Sequence, residues 1–301
     1  MPISPTETTW RAACLSETGG RFPEYVYRIV PLAIAVQTIQ GRRNALVTPL
    51  RWDDQFEAIQ LRTGMHLPVF ADAESAHLWR TGSQMPLRIA ENVTWTKSTK
   101  AASAIVCQCW SAVEDNDTMW RAYSPELQSV KLKSRTRELV QSLIQVANAD
   151  PVFLGRVGYL PQSEIEALGV ASARNHRLQT KPSAFSKIEG KPWAQCLLRK
   201  RDQFIYEQEY RLITIPSRER RQLIQDNLFF YDVDPNSIFD EIQTDPRSKN
   251  HSEIAETLRR AGYSGPVTKS GIYAMPNYTV KTHFPKNMVS VNTTFEDHSN
   301  G

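Results

Sequence analysis

Residues 204–215, FIYEQEYRLITI, form the longest strand candidate in the chain. Side chains alternate along a strand, so Ile205, Glu207, Glu209, Arg211, Ile213 and Ile215 share one face. Phe204, Tyr206, Tyr210 and Leu212 take the other. Glu207 and Glu209 then fall about 7 Å apart and point the same way. A strand apolar on both faces is normally covered on both sides. Bare carboxylates are costly to bury, so this pair is expected to be ion-paired, metal-bound or facing a cleft. The plainer alternative is a solvent-facing edge strand with an internal Glu–Arg pair.

Outward from this strand the pattern is mixed. Strands are expected at 25–30, 45–48, 104–110, 152–160 and 238–244. A helix is expected at 32–40, with Pro31 in its first turn and Gly41 at its end. Residues 117–123 read as one or two helical turns, and 193–200 as a short helix. The clearest helix is 134–149, capped by Ser134, with Leu139, Leu143, Ile144 and Val146 on one stripe. A last helix spans 251–261 and is closed by Gly262. Strands and helices interleave irregularly, which favours an α+β fold over a doubly wound one. One domain is expected over 23–292, with flexible ends at 1–22 and 293–301. The basic, Ser-rich stretch 170–192 reads as a long mobile loop.

The chain has 301 residues, 41% hydrophobic and 23% charged, which excludes collagen-like, coiled-coil and disordered classes. With 36 Lys and Arg against 32 Asp and Glu, the net charge is +4. The basic residues are spread out, so a polyanionic partner is permitted but not required. The greasiest stretch, 29–36, is far short of the about 20 residues that span a membrane and contains Pro31. No signal-peptide core is present near the start. Cys14, Cys107, Cys109 and Cys196 read as core thiols of a cytoplasmic protein rather than a disulfide framework or a zinc site. P-loop, Rossmann, nucleophile-elbow and zincin motifs are all missing.

Three further constellations stand out. Trp52-Asp53-Asp54-Gln55-Phe56-Glu57 follows a strand and reads either as a metal site or as a helix start capped by Asp53 or Asp54. In residues 116–123, Met119, Trp120 and Tyr123 lie at helical spacing and suit a core. In Tyr25-Val26-Tyr27-Arg28, the two tyrosines share a face and Arg28 takes the other. An Arg in an apolar strand needs an anion, either Glu209 or a ligand phosphate.

Taken in order, these pieces resemble a bacterial family known as domain of unknown function 2971. The resemblance spans about residues 25 to 275. It rests on Tyr27-Arg28, the 52–57 stretch, Met119-Trp120-Arg121-Ala122-Tyr123, Glu207-Gln208-Glu209-Tyr210-Arg211, Asp245-Pro246-Arg247, and Lys269-Ser270 before Tyr273. Gln55 stands where that family has Pro. Some of its members look like phage-defence or abortive-infection proteins. More distantly, the chain is similar to ADP-ribosyltransferases of the Arg–Ser–Glu type, with Arg28, then Thr48 or Ser111, then Glu207-Gln208-Glu209.

That similarity implies a split, mostly antiparallel sheet with flanking helices, and NAD as the substrate that donates the modifying group. It makes Glu209 the ribose ligand and Glu207 the acceptor-side group. It places Arg28, Tyr27, Thr48, Trp52, Asp54, Ser111, Trp120 and Tyr123 around NAD. The acceptor would be a protein or nucleic acid, and a toxin of this kind would be matched by a neutralising antitoxin or chaperone protein. Breaking the nicotinamide–ribose bond builds positive charge on the sugar, which a fixed carboxylate stabilises best where water is excluded. Two other readings compete. One is a nuclease in which Asp54, Glu207 and Glu209 gather Mg²⁺. The other is a non-catalytic binding module whose acids are structural.

Overall fold

Val106–Ser111 is the hub of the sheet in the computed structural model. One edge pairs along its whole length with Glu209–Thr214, antiparallel, from Thr214↔Val106 to Glu209↔Ser111. The other edge is shared by two strands. Tyr25–Pro31 meets it at Tyr27↔Ser111, and Arg43–Val47 meets it at Val47↔Cys107. The sheet therefore splits at this strand. One branch continues through Ser129–Arg135 and Glu241–Thr244 to Val267–Lys269. The other runs through Leu228–Asp232 to Ile224–Gln225. Beyond Glu209–Thr214 lie Val152–Arg156 and then Cys14–Leu15. Only the two outermost pairings, of Cys14–Leu15 and of Val267–Lys269, are parallel. This is the split, mostly antiparallel α+β sheet that was expected.

The described residues are 22–62, 102–147, 150–179 and 191–275, with the short strands 14–15, 65–69, 94–98, 279–282 and 291–294. Alternation sorts the side chains onto two faces. Val26, Val30, Val106, Trp110, Tyr210 and Leu212 lie in the larger core, under the helices Leu32–Gly41, Thr136–Ala147 and His251–Arg260. Cys107 and Ile213 face a smaller core with Ala58, Leu61, Ala194, Leu197 and Leu198. Register puts Glu209 and Arg211 on this second face, in line with Ser111 and Cys109.

Several elements differ from expectation. The 204–215 strand is strand only over Glu209–Thr214; Asp202–Glu207 is a 3₁₀ helix, and Gln208 sits at φ 41°. A 3₁₀ turn aligns residues three apart, so Phe204 and Glu207 both turn to Lys200 while Ile205 stays exposed. The 193–200 helix is Lys191–Cys196, and Arg199–Arg201 instead forms a strand parallel to Gly158–Leu160. The 152–160 strand breaks at Val157. Ser134 caps no helix: it lies in the Ser129–Arg135 strand and donates to the Ile238 carbonyl at 2.6 Å. Pro31 ends its strand rather than opening the helix, and Arg42, not Gly41, takes the left-handed closing position. Gly262, at φ +105°, closes the last helix as expected.

The 170–192 loop is shortened from both ends. The helix Gln162–Gln179 runs into it and Lys191 opens the next helix. Its first ten residues hold no Pro or Gly to stop a helix. Residues 180–190 lie outside the described residues. Cys14–Leu15 joins the sheet although it falls in the 1–22 end, and Val291–Thr294 pairs with Thr279–Thr282. Residues 295–301 also lie outside the described residues.

Candidate active site

Lys200 organises the acids. Its Nζ lies 2.6 Å from Glu207 Oε2, 3.2 Å from Glu209 Oε2 and 3.2 Å from Glu57 Oε1. Arg211, fully buried, donates to Glu209 Oε1 at 2.7 Å and Oε2 at 3.0 Å, and also to Glu57 Oε2 and the Leu197 carbonyl. Its guanidinium stacks 4.3 Å from the centre of the Trp52 ring. Three buried carboxylates thus face two buried cations. Burial pushes the Glu209 carboxyl up, but Arg211, Lys200 and the Cys109 thiol outweigh it and hold the group at about 2. Glu207 moves the other way. Burial raises its carboxyl, and Glu209 adds to this, against the pull of Lys200 and Tyr123. Burial would lower the Lys200 ammonium, yet Glu209, Glu57 and Glu207 drive it well above its ordinary value.

Glu207 and Glu209 therefore converge without sharing a strand. The bend at Gln208 brings the first back beside the second. Ser111 fixes that bend: its hydroxyl donates to the Glu207 carbonyl at 2.6 Å, and Ala112 N–H bonds Gln208 O. The Glu209 N–H donates to the Tyr159 hydroxyl at 2.8 Å. Tyr123 donates to Glu207 Oε1 at 2.8 Å, and the residue is 43% exposed. Glu207 is thus a buried carboxylate that hydrogen-bonds an exposed aromatic residue.

Tyr123 ends the helix Asp117–Tyr123, capped by Asn116, whose side chain accepts from Thr118 N–H. That helix is anchored at both ends. Asp115 receives Trp120 Nε1 at 2.7 Å, the Ser270 hydroxyl, and Lys131 Nζ at 3.1 Å. Arg247 donates to the carbonyls of Trp120 and Ser124, both at 3.0 Å, while paired to Asp245. The Asp245-Pro246-Arg247 and Lys269-Ser270 motifs are thus supports of the Tyr123 helix.

The remaining expected site residues divide. Trp52 and Ser111 are at the acid pair. Tyr27 shares the face of Ser111 and Glu209, and Lys131 sits 5.8 Å from its ring centre. Trp120 is wholly buried and acts through Asp115. Asp54 does not join Glu207 and Glu209. It pairs with Arg201 at 3.1 Å and caps the Phe56 N–H, so the Asp54–Glu207–Glu209 metal trio is not assembled. Thr48 donates to Asn227 Oδ1 at 3.0 Å and belongs to that turn, which leaves Ser111 as the hydroxyl at the carboxylates. Arg28 is not the partner of Glu209. Alternation puts it on the face of Val26 and Val30, and no hydrogen bond or ion pair joins it to another described residue. Burial depresses its pKa, opposed only by Cys109, Tyr231 and Cys107.

Sequence reasoning missed Lys200 and Glu57. Lys200 was hidden in an expected helix, in a run of three basic residues that reads as a solvated surface. Glu57 belongs to the 52–57 stretch, which reads as a metal site or a helix start and not as a partner of Arg211. A signal existed in the pair itself: two carboxylates in a greasy stretch require more than the single Arg211 beside them.

No family model matches the chain, and no curated protein matches it. The likeness to the domain of unknown function 2971 family therefore stands on its motifs alone. Among solved structures, the chain is similar to "Thermus sp. 2.9 DarT in complex with ADP-ribosylated ssDNA". Identity is 12%, coverage is 82% of this chain and 94% of that chain, and the TM-score is 0.33. A likeness that loose assigns no residue role. No helix among the described residues is long and apolar enough to cross a membrane.

Proposed function

We propose that this protein is an NAD-dependent ADP-ribosyltransferase-like effector, of the toxin or phage-defence kind, that modifies a protein or nucleic acid. The observation that carries the reading is the division of the Glu207-Gln208-Glu209 motif into two unlike carboxyls at one point. Glu209 is a held anion, and Glu207, raised by burial, lies under the exposed Tyr123. Unlike environments on paired carboxyls are how one site performs both electrostatic and proton-transfer work. In the reaction, the nicotinamide–ribose bond breaks and nicotinamide leaves with the bonding pair. Glu209 stabilises the charge left on the sugar. The acceptor nucleophile bonds the same carbon, and its proton passes to Glu207. Arg28 takes no part in this step, because alternation puts it on the face of Val26 and Val30, away from Glu209.

The test is nicotinamide release measured alongside transfer of label from NAD to lysate proteins and nucleic acids. Glu209→Ala should lose both by about 10²–10³. Glu207→Ala should lose transfer but keep hydrolysis, since water can still enter. If the folded wild-type chain gives neither nicotinamide nor transfer, the acids are structural and the non-catalytic reading replaces this one.

A further inference from the structure

We infer that Lys200 is a positioning residue of the proposed site, holding Glu207 and Glu209 together as ionised carboxylates. The inference rests on the transferase reading for its activity readout only; the geometry stands by itself. Lys200 reaches both glutamates, at 2.6 and 3.2 Å, and reaches Glu57 at 3.2 Å. Among the described residues no other cation contacts Glu207. Of the three carboxylates, Arg211 serves Glu209 and Glu57 only.

The local structure is built to deliver this ammonium. Arg199–Arg201 is a three-residue strand, paired in parallel with Gly158–Leu160, in which only the central residue is buried. The flanking Arg201 is held outside by Asp54 at 3.1 Å and stacks 4.5 Å from the Phe56 ring centre. Phe204 covers the ammonium at 4.7 Å. Lys200 therefore has no geometry in which it could serve a surface partner. A buried carboxylate pair with one arginine would take up a proton, because like charges this close do not both ionise. A second cation placed between them removes that need. The titratable groups around the pair are Glu57, Arg211, Lys200, the Cys109 thiol, and the hydroxyls of Tyr123, Tyr159 and Tyr206. Of these only Lys200 and Arg211 carry positive charge.

The direction of the effect follows. Removing Lys200 raises the carboxyl pKa values, so an activity that needs both ions is lost at a higher pH as pH falls. Lys200→Met should move the acid limb of label transfer from NAD upward by about 1–3 pH units. Lys200→Arg, which restores a cation, should lie closer to wild type. A folded Lys200→Met variant whose acid limb stays where it was overturns the inference. Should that variant not fold, Lys200→Met combined with Glu57→Gln removes one charge of each sign, and an upward shift, smaller because one anion beside the pair is gone, is required of it. A measurement on the wild type needs no substitution: ¹³C-carboxyl NMR of Glu207 and Glu209 at neutral pH. Both must be ionised there. A protonated carboxyl overturns the inference whatever the enzyme assay gives. Wild-type protein that is silent toward NAD but ionised at both sites breaks the transferase reading and leaves the role of Lys200 intact.

Discussion

Two lysines are buried to nearly the same depth on one side of the sheet, and their surroundings drive them in opposite directions. Lys200 keeps 7% of its side chain exposed and Lys131 keeps 4%. Burial works to lower both ammonium groups. At Lys131 it wins. The partners there are Asp115 at 3.1 Å, the Glu114 carbonyl, and the rings of Trp120 and Tyr27 at 5.3 and 5.8 Å. Asp115 is shared with Trp120 and Ser270, so little of its charge is left to Lys131 alone. At Lys200 three carboxylates outweigh the same penalty. Depth thus does not set the state of a buried cation; the number of carboxylates aimed at it does. One cluster braces a helix, and the other keeps more anions than cations where water is scarce.

The largest effect that should separate the two regions comes from Arg211. Arg211→Met leaves Glu57 and Glu209 with Lys200 as their only cation among the described residues. Breaking a buried pair from one side costs about 3–5 kcal/mol. Urea denaturation near neutral pH should read a loss of that size. Part of it depends on pH. Glu209 is held at about 2, below its unfolded value, so its share is present above roughly pH 4.3 and is lost as pH falls toward about 2. Acidifying both proteins should therefore narrow the gap between them. A loss under about 1 kcal/mol would mean that the carboxylates relax to solvent once Arg211 is gone, and the contrast with Lys131 would collapse.

Legibility in the sequence followed the range of the forces involved. The strand 25–30, the helices at 32–40 and 251–261 and the Gly262 cap rest on local periodicity and turn chemistry, and they read off the chain within a residue or two. The split sheet was accessible only through resemblance, since nothing local tells Val106–Ser111 to accept two partners on one edge. The carboxylate pair was legible as a pair because bare charge in an apolar stretch needs an explanation. Of the groups around it only Arg211 was legible, because Glu57 and Lys200 arrive from other elements. The 3₁₀ turn at Asp202–Glu207 was misread for a related reason. Phe204, Ile205 and Tyr206 satisfy strand alternation, and only the contact of Phe204 and Glu207 with Lys200 selects the tighter helix.

Lys131→Met should have a smaller effect, about 1–2 kcal/mol, because Asp115 keeps its bonds from Trp120 and Ser270. Its pH dependence should be opposite in sign to that of Lys200. The ammonium of Lys131 is lowered in the folded state, so between that value and about 10.4 the unfolded chain binds more protons. Stability of the wild type relative to Lys131→Met should then rise as pH climbs toward about 10.4. The Lys200 contribution is fully present below about 10.4 and falls away at higher pH, because that ammonium is raised. Paired denaturation curves across that range decide the matter. A gap that narrows on alkalinisation would show Lys131 to be a stabilised cation like Lys200.

The smallest effect belongs to Tyr123→Phe, and it tests whether the acid centre reaches the surface at that ring. The substitution removes the donor 2.8 Å from Glu207 Oε1 and keeps the ring. A wholly buried acceptor left unpaired would cost about 1–3 kcal/mol. Tyr123 is 43% exposed, so water can take the place of its hydroxyl, and the loss should stay near 0.5–1 kcal/mol. The Glu207 carboxyl should also titrate at higher pH, because the Tyr123 bond favours its ionised form. That rise should be smaller than the one caused by Lys200→Met, since a hydroxyl carries no charge. ¹³C-carboxyl titration of Glu207 in the two variants gives the ranking directly. If Tyr123→Phe proves as costly as Arg211→Met, water does not reach Glu207, and neither does an acceptor. A small loss with an upward titration shift makes Glu207 a carboxyl that exchanges a partner with solvent, which is the property the proposed proton transfer requires.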